Sequence, residues 1–591
     1  MMKSKKLRKL MGIVCAASIM TGTFAGCGQS DASSGGSSTS EAQAEEVAFP
    51  LEENYEFSMM TRAASDSEQD FSKKALVQRM EDATNVTVDW QVIPDEQFDD
   101  KFKLALSKSD MPDVVTKMYI KPYDILGYAR KGVFIPLEDY IETNMPNLTK
   151  VLEQRPEVKA AITAADGHIY TLPFINEWSK DSKENINVIG AIPYINVSWL
   201  EELNLEMPTT TDELESGTEG ICGKYQTGSG DVIPMSFRIN QVNQDPGVTL
   251  GSFGCGDNTD HYMVTNDKEV YYSLASEEAR EGLEWIHELY GEGLIDPEIF
   301  SQDASTYSAK LASGRVGLFY EWARESAGDY TDEYQALPPL AGPDGTVNVP
   351  RQNYYSFDMG VTAVTSACDN PSVVCAYLDQ YFEPSMSIQN CYGTYDDENY
   401  TNVFTMDEDG MLHWTDEGAS DSKVRSDQNL YDTFAILSDY YGVYVDRMLD
   451  SDAMRFDTVK NIYSPYISSD YNYPAAFMEQ EDITRISEIE TDLKTYAEQT
   501  KADIVKNGIS DDEWNAYLKK LDDMGLQELL ELKQKGFDMF YELTNYAEAG
   551  GQTSAAESAS AETTPAAEST STDTTSAAES TSSGTDAASQ E

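Results

Sequence analysis

Between residues 56 and 116 the hydrophobic pattern alternates between the two-residue period of a strand and the three-to-four-residue period of a helix. Glu56–Thr61 reads as a strand. Glu68–Ala83 reads as a helix with Leu76, Met80 and Ala83 on one face. Val86–Ile93 is rich in β-formers. Asp95 is placed to cap a helix that turns Phe98, Phe102 and Ala105 inward, and Asp113-Val-Val-Thr116 reads as a further short strand. Strands separated by helices of this length cannot be hairpins. They imply parallel βαβ units, so the N-terminal part is predicted to be an open α/β sheet. Such sheets bind ligands outside the carboxyl ends of their strands. That rule puts Met60–Ala63 and Thr116–Tyr119, and with them Arg62 and Tyr119, beside any crevice.

At 591 residues the chain exceeds one core of ordinary size. Further along, Ser276 is a natural N-cap with Glu277 and Glu278 in the favourable first turn. Leu283, Ile286, His287 and Tyr290 share a face of that helix, and Gly291, Gly293 and Pro297 end it. His287 is read as a packing histidine with a hydrogen bond. Val403–Met406 and Met411–Trp414 flank Asp407-Glu-Asp-Gly410 as a hairpin. Residues 471–548 read as mostly helical, with Ile483, Ile486, Ile489 and Leu493 in register.

The two ends differ from this middle. Residues 1–26 carry Lys3, Lys5, Lys6, Arg8 and Lys9, no acid, and an apolar stretch from about Met11 to Phe24 that is short for a bilayer span. This reads as a secretory signal. Phe24-Ala-Gly-Cys27 resembles the lipobox of bacterial lipoproteins, in which the cysteine is lipidated and becomes the new N-terminus; Phe24 stands where Leu is usual. Residues 27–48 then read as a flexible tether of mostly Ser, Gly, Thr and Ala, fixed to the outer face of the cell membrane through Cys27. Residues 549–591 repeat an Ala-Ala-Glu-Ser unit and hold no Lys, Arg or aromatic residue. They read as a disordered, solvated tail.

Charge and chemistry exclude several classes. Lys and Arg total 42 against 103 Asp and Glu, a formal charge of -61. No long basic run follows residue 9, which argues against nucleic acid as a partner. Of seven Cys, Cys15 and Cys27 belong to the leader. The odd set Cys222, Cys255, Cys368, Cys375 and Cys391 contains no CxxC pair and leaves disulfide pairing open. His168, His261, His287 and His413 are widely separated. Neither a zinc motif nor a cofactor motif occurs, so no metal and no cofactor are expected.

Several segments in order then carry a resemblance: Phe134-Ile-Pro-Leu-Glu-Asp139, Ala165-Asp-Gly-His-Ile-Tyr-Thr-Leu-Pro173, Tyr194-Ile-Asn-Val-Ser-Trp-Leu-Glu-Glu-Leu-Asn-Leu205, Met207-Pro-Thr-Thr-Thr-Asp-Glu-Leu214, Gly293-Leu-Ile-Asp-Pro297 and Ala309-Lys-Leu-Ala-Ser-Gly-Arg-Val-Gly-Leu-Phe319. Over residues 50–545 the chain resembles the extracellular solute-binding lipoproteins of ABC-transporter family 1, in their LplA-like, Gram-positive branch. The resemblance implies a periplasmic-binding-protein-like type II fold, with two α/β lobes joined by crossing hinge segments and helices added at the C-terminus. Lobe one is expected over 49–190 with a return near 355–390. Lobe two is expected over 191–350, with the C-terminal helices to about 548. Asn187–Asn196 is a long extended run suited to a crossing. Many relatives carry a calcium-type loop near Gly223–Pro234, but here that stretch offers one carboxylate, Asp231, and Lys224, so no calcium is expected. The Leu214–Gly223 segment is shorter than is usual, and its helix is expected to be absent.

The resemblance further implies a receptor that closes on a small-molecule solute and hands it to the transmembrane subunits of an ABC permease. A saccharide is the expected solute, because sugars offer hydroxyls and apolar ring faces to aromatic platforms and carboxylates. Tyr320, Glu321 and Trp322 follow a strand whose end faces the cleft in the family. Alternation predicts Tyr320 and Trp322 together, or Glu321 alone. Glu177 and Trp178 follow Leu172-Pro173, Tyr355 lies at the second crossing, and Arg62 follows the first strand. The rival inside the same fold is a peptide or other small solute. Rivals outside it are a scaffold and a glycosidase, but acid pairs such as Asp99-Asp100 and Glu201-Glu202 read as solvated faces.

Overall fold

The structure is a computed structural model that describes residues 44–64, 67–107, 111–164, 166–225, 232–352, 356–415, 422–431, 433–474 and 476–557. The expected leader with Cys27, the expected tether to residue 43, Tyr355, residues 226–231 with Asp231, and residues beyond 557 lie outside the described residues. The compact unit begins at Ala44. Glu45 and Val47 already donate backbone hydrogen bonds to Ser372 Oγ and Asn144 Oδ1, both at 3.1 Å, so the tether ends before residue 48.

In lobe one, β1 (Tyr55–Ala63) pairs in parallel with β2 (Val86–Pro94) across α1 (Ala75–Thr84). Helix α2 (Phe98–Ala105) buries Phe98, Phe102 and Ala105 as the pattern demands and leads to β3 (Val114–Val115), parallel to β1. Two local expectations are corrected. Helix α1 begins at Ala75, because Phe71–Lys73 forms a 3₁₀ turn first. Asp95 is not a cap: it opens a 3₁₀ turn, and Gln97 precedes α2 without a side-chain cap bond. After α3 (Pro146–Gln154) and α4 (Pro156–Ile162) comes β4 (Leu172–Asn176), from which the chain leaves the lobe.

Lobe two holds β5 (Ile192–Asn196), α5 (Thr211–Tyr225), β6 (Ile233–Ser236), α6 (Glu277–Gly291), β7 (Val316–Glu321) and β8 (Tyr334–Ala336). The helix expected to be absent after Leu214 is therefore present, as part of α5. The extended run is paired only from Ile192; Asn187–Gly190 forms turns and bends. Ser276 caps α6 by accepting from Ala279 N, and His287 bonds the carbonyl of Val505 through Nδ1 at 3.0 Å.

The chain then returns to lobe one as β9 (Phe357–Val364) and α7 (Pro371–Asp379), the hairpin β10 (Phe404–Met406) and β11 (Leu412–Trp414), α8 (Ser422–Gln428) and β12 (Ala435–Ile436). Helix α9 (Asp450–Thr458) leads back, and α10 (Gln480–Asn507), α11 (Asp511–Met524) and α12 (Leu526–Glu557) follow. The last helix runs past the expected tail boundary at 549.

The first sheet has the order β12-β4-β9-β3-β1-β2, and the second β8-β5-β7-β6. The first is mixed: β9 lies antiparallel to both β3 and β4, while β12 runs parallel to β4. A strand arriving from the other lobe enters the middle of the sheet in the opposite sense, which the βαβ pattern alone could not show. The other five strands still point one way, so Ala63, Val115, Asn176 and Ile436 end at one edge. Two separate apolar cores result. One draws on Phe57–Ile186 and Met359–Leu449, with Phe477 and Phe540; the other draws on Val188–Val349 and Val459–Phe537.

Candidate functional site: a crevice between two strand edges

The chain leaves lobe one at the carboxyl end of β4 and enters β5 at Ile192, which pairs with Glu321, the last residue of β7. The crossing therefore joins the strand edge ending in Ala63, Val115, Asn176 and Ile436 to the edge where β6 and β7 end. Trp322, just past the end of β7, reaches across to pack against the lobe-one core.

On the lobe-one side, Arg62 and Tyr119 form one group. The Arg62 guanidinium carbon stands 4.2 Å from the Phe98 ring centroid and 5.8 Å from that of Tyr119, and Nη2 donates to Asp99 Oδ1 at 3.1 Å. Tyr119 has φ of 49° and is 37% exposed, an aromatic face turned to solvent at a strand end. Trp178 is 5% exposed at the margin of the lobe-one core and stacks on Tyr441, with centroids 6.0 Å apart and ring planes at 17°; its buried indole N–H has no hydrogen-bond partner. Tyr441 shares a hydroxyl contact of 3.2 Å with Tyr392, and Tyr392 donates to Asp452 Oδ2 at 3.2 Å. Arg425 lies over Tyr392 at 4.9 Å. Burial pushes the Asp452 carboxyl above the usual range.

Glu177, adjacent to Trp178, serves another purpose. It is buried, pairs with Arg155 and accepts from Ser438 N at 3.2 Å and from Ser438 Oγ. It ties the end of β4 to the segment after β12.

On the lobe-two side the strand-end trio is split differently from the expected alternation. Tyr320 is 1% exposed, with its hydroxyl 2.6 Å from Thr249 Oγ1 inside the core. Glu321 accepts from Gln244 and from Trp322 N at 2.8 Å, and burial raises its carboxyl. Trp322 lies past the last paired residue, in a bend, so alternation no longer fixes its direction. It is half-buried and packs against the lobe-one core, although its strand belongs to lobe two. Beside it, the loop after β6 holds Asn240 and Asn243 in left-handed backbone at φ 59° and 61°. Asn240 Nδ2 donates to Glu498 O at 3.2 Å, which directs its Oδ1 elsewhere. The Oδ1 atoms of both asparagines are buried without a partner. They line a pocket with Ala191 and Gln352 of the crossing segments. Behind the loop, Asp245 accepts from Asn240 N at 2.6 Å and pairs with buried Lys501 of α10 at 2.9 Å.

Helix α9 forms the floor. Asp452 and Arg455, one turn apart, reach Tyr392 on one side and Trp322 on the other. Sequence reasoning missed Arg455, Asp452, Arg425, Tyr392, Tyr441, Asn240 and Asn243. Unpaired asparagines ahead of Asp245-Pro246 were the one local hint of a loop with special backbone. Among the described residues no cluster of three or more His, Cys, Asp or Glu could hold a metal ion, and Cys222, Cys255, Cys368, Cys375 and Cys391 form no disulfide with one another.

Two α/β lobes linked by crossing segments, with aromatic groups on both sides and asparagine amides on the lobe-two side, are the architecture of a binding protein that encloses a small polar solute. Comparison with known proteins agrees. The family model for bacterial extracellular solute-binding proteins matches residues 64–367, and the chain belongs to that family. It is 36% identical over 521 residues, 88% of its length and 96% of the relative's, to the fructooligosaccharide ABC transporter substrate-binding protein FusA of Streptococcus pneumoniae. It is 24% identical over 58% of its length, and 67% of the relative's, to the polygalacturonan/rhamnogalacturonan-binding protein YtcQ of Bacillus subtilis. The solved structure of FusA in complex with kestose superposes with a TM-score of 0.77, covering 82% of this chain and 99% of that one. By family the protein is thus an extracellular solute-binding protein, whose role is binding and not catalysis.

Proposed function

We propose that the protein captures a neutral, fructose-containing oligosaccharide between its lobes and delivers it to the membrane permease of an ABC importer. The observation that carries this reading is the pair of aromatic platforms, Trp178–Tyr441 and Trp322, set at facing strand ends over α9. Sugar rings present apolar faces to such platforms, while hydroxyls donate to Asn240 and Asn243 Oδ1 and accept from the Trp178 indole. The extended likeness to a fructooligosaccharide-binding relative supports the same ligand class. Of the sequence candidates, Arg62, Tyr119, Trp178 and Trp322 belong to this site, and Tyr355 lies outside the described residues. Glu177, Tyr320 and Glu321 support it from behind. Hinge closure, not bond chemistry, is the working step.

Titrating the protein with kestose, nystose, galacturonate oligomers and a peptide pool tests the reading. Kestose or nystose should change tryptophan fluorescence saturably and raise the melting temperature. A shift with galacturonate or peptide alone would reassign the ligand.

Lipid anchoring through Cys27 is part of the same proposal. It is supported by the basic, apolar leader and the lipobox-like Phe24-Ala-Gly-Cys27. No described helix is long and apolar enough to cross a membrane. Labelled palmitate should enter the wild type, and Cys27→Ala should leave the protein uncleaved or released. An unlabelled wild type would end the idea.

A further inference from the structure

Arg455 is 4% exposed on α9, in the stretch where the chain passes from the first core at Leu449 to the second at Val459. Its Nε donates to Ile186 O at 3.0 Å, and Nη2 donates to Gly190 O at 3.0 Å and to Ile189 O. Those carbonyls belong to the first crossing segment. Its Nη1 donates to Trp322 O, and its guanidinium carbon lies 3.5 Å from the centroid of the Trp322 ring. One buried cation therefore joins the first crossing segment to the lobe-two strand end and covers one face of the aromatic ring there. The opposite face is what remains for a ligand.

We propose that Arg455 is a positioning residue that couples ring stacking at Trp322 to the setting of the hinge. This rests on the reading that a saccharide is held in the crevice. A planar guanidinium can hold several carbonyls in its plane and stack on an indole at the same time; an ammonium has three donors and no flat face. The orientation of Trp322 and the path of Ile186–Gly190 are thus set by the same group. A sugar ring that fixes the indole also fixes the crossing segment, and a crossing segment in the closed setting presents the indole ready for stacking. In thermodynamic terms the two sites share a coupling free energy and act reciprocally.

The test is a double-mutant cycle with Arg455→Lys, Trp322→Leu and both, read by kestose affinity and by thermal unfolding without ligand. Arg455→Lys should weaken kestose binding about tenfold or more in the native background. In the Trp322→Leu background it should weaken binding no more than about threefold, because the ring through which it acts is gone. Losses that multiply across the cycle, or an Arg455→Lys protein binding as wild type, would overturn the proposal. If Arg455→Lys does not fold, amide exchange in Trp322→Leu decides without ligand. Amides of residues 186–190 should exchange about fivefold faster than in wild type, and unchanged exchange would reject the coupling. A wild type that binds no saccharide would defeat the receptor reading, yet the exchange comparison would still decide the role of Arg455.

Discussion

At the scale of single residues, neighbours in sequence carry different duties. Trp322 stands past the end of β7, half-buried at the margin of the lobe-one core with one face covered by Arg455, so replacing it removes a stacking surface and only peripheral core packing. Aromatic stacking contributes on the order of 1 kcal/mol beyond area burial. Trp322→Ala should weaken kestose binding at least about tenfold, which is ~1.4 kcal/mol, while circular dichroism and the unfolding midpoint stay near wild type. Glu177 is the contrasting case. Its carboxylate is buried against Arg155 and holds Ser438, and removing its charge leaves the part-buried Arg155 with Glu157 as its remaining partner and Ser438 more weakly held. Glu177→Gln should lower the unfolding free energy in urea by about 3 kcal/mol, with the affinity of the folded fraction changed less than about threefold. Sequence could nominate both residues, because each follows a strand end, but it could not separate their roles. That separation depends on Arg155, Ser438 and Arg455, which reach the site from far along the chain. Arg455 lies 133 residues from Trp322 and has no spacing signal of its own.

At the scale of elements, what the sequence revealed was what local periodicity controls. The strands at Tyr55–Ala63 and Val86–Pro94, the Ser276 cap and the hairpin after Val403 all follow from neighbouring side chains. The antiparallel entry of β9 and the α9 floor depend on contacts across lobes, so no window of sequence contains them. Some caps are also supplied from a distance. Helix α3 starts with Pro146, and its first free amides, Asn147 N and Leu148 N, donate at 3.1 and 2.9 Å to Asp379 Oδ1 at the end of α7. Burial nevertheless pushes this carboxyl up to about 6, against hydrogen bonds that favour its charged form. An acid with a raised folded-state value binds its proton more tightly when folded. Stability linked to Asp379 should therefore rise as pH falls from about 7 towards 4, and level off below the unfolded-state value. Urea unfolding at pH 7 and pH 5 should show this slope in the wild type. Asp379→Asn should reduce the difference between pH 7 and pH 5 by about 1.3 kcal/mol, and an equal slope in both proteins would exclude Asp379 as its source.

At the scale of the whole molecule, the question is how two cores behave as one receptor. The crossing segments tie the lobes along the crevice, and α12 ties them through its apolar face. Phe537 belongs to the second core, Phe540 to the first, and Tyr541 packs against both. Phe537 and Tyr541 are in ring contact at 4.5 Å, and Phe540 and Tyr541 at 5.4 Å. The helix thus carries an aromatic ladder from one lobe to the other, and truncating a buried Phe costs about 3 kcal/mol or more. In Phe540→Ala that loss falls on the contact between lobes and on the first core, not on the second. Calorimetry of the unliganded variant should resolve two unfolding transitions where the wild type shows one, the first core melting earlier. A saccharide held between the lobes binds only when both are folded and adds about 2.7 kcal/mol at a concentration of 100 times Kd. Saturating kestose should therefore raise the earlier transition of Phe540→Ala most and bring the two back together. A single transition in the unliganded variant would mean that the crossing segments alone unite the lobes, and a ligand-induced rise confined to the second core would mean that the saccharide does not bridge them.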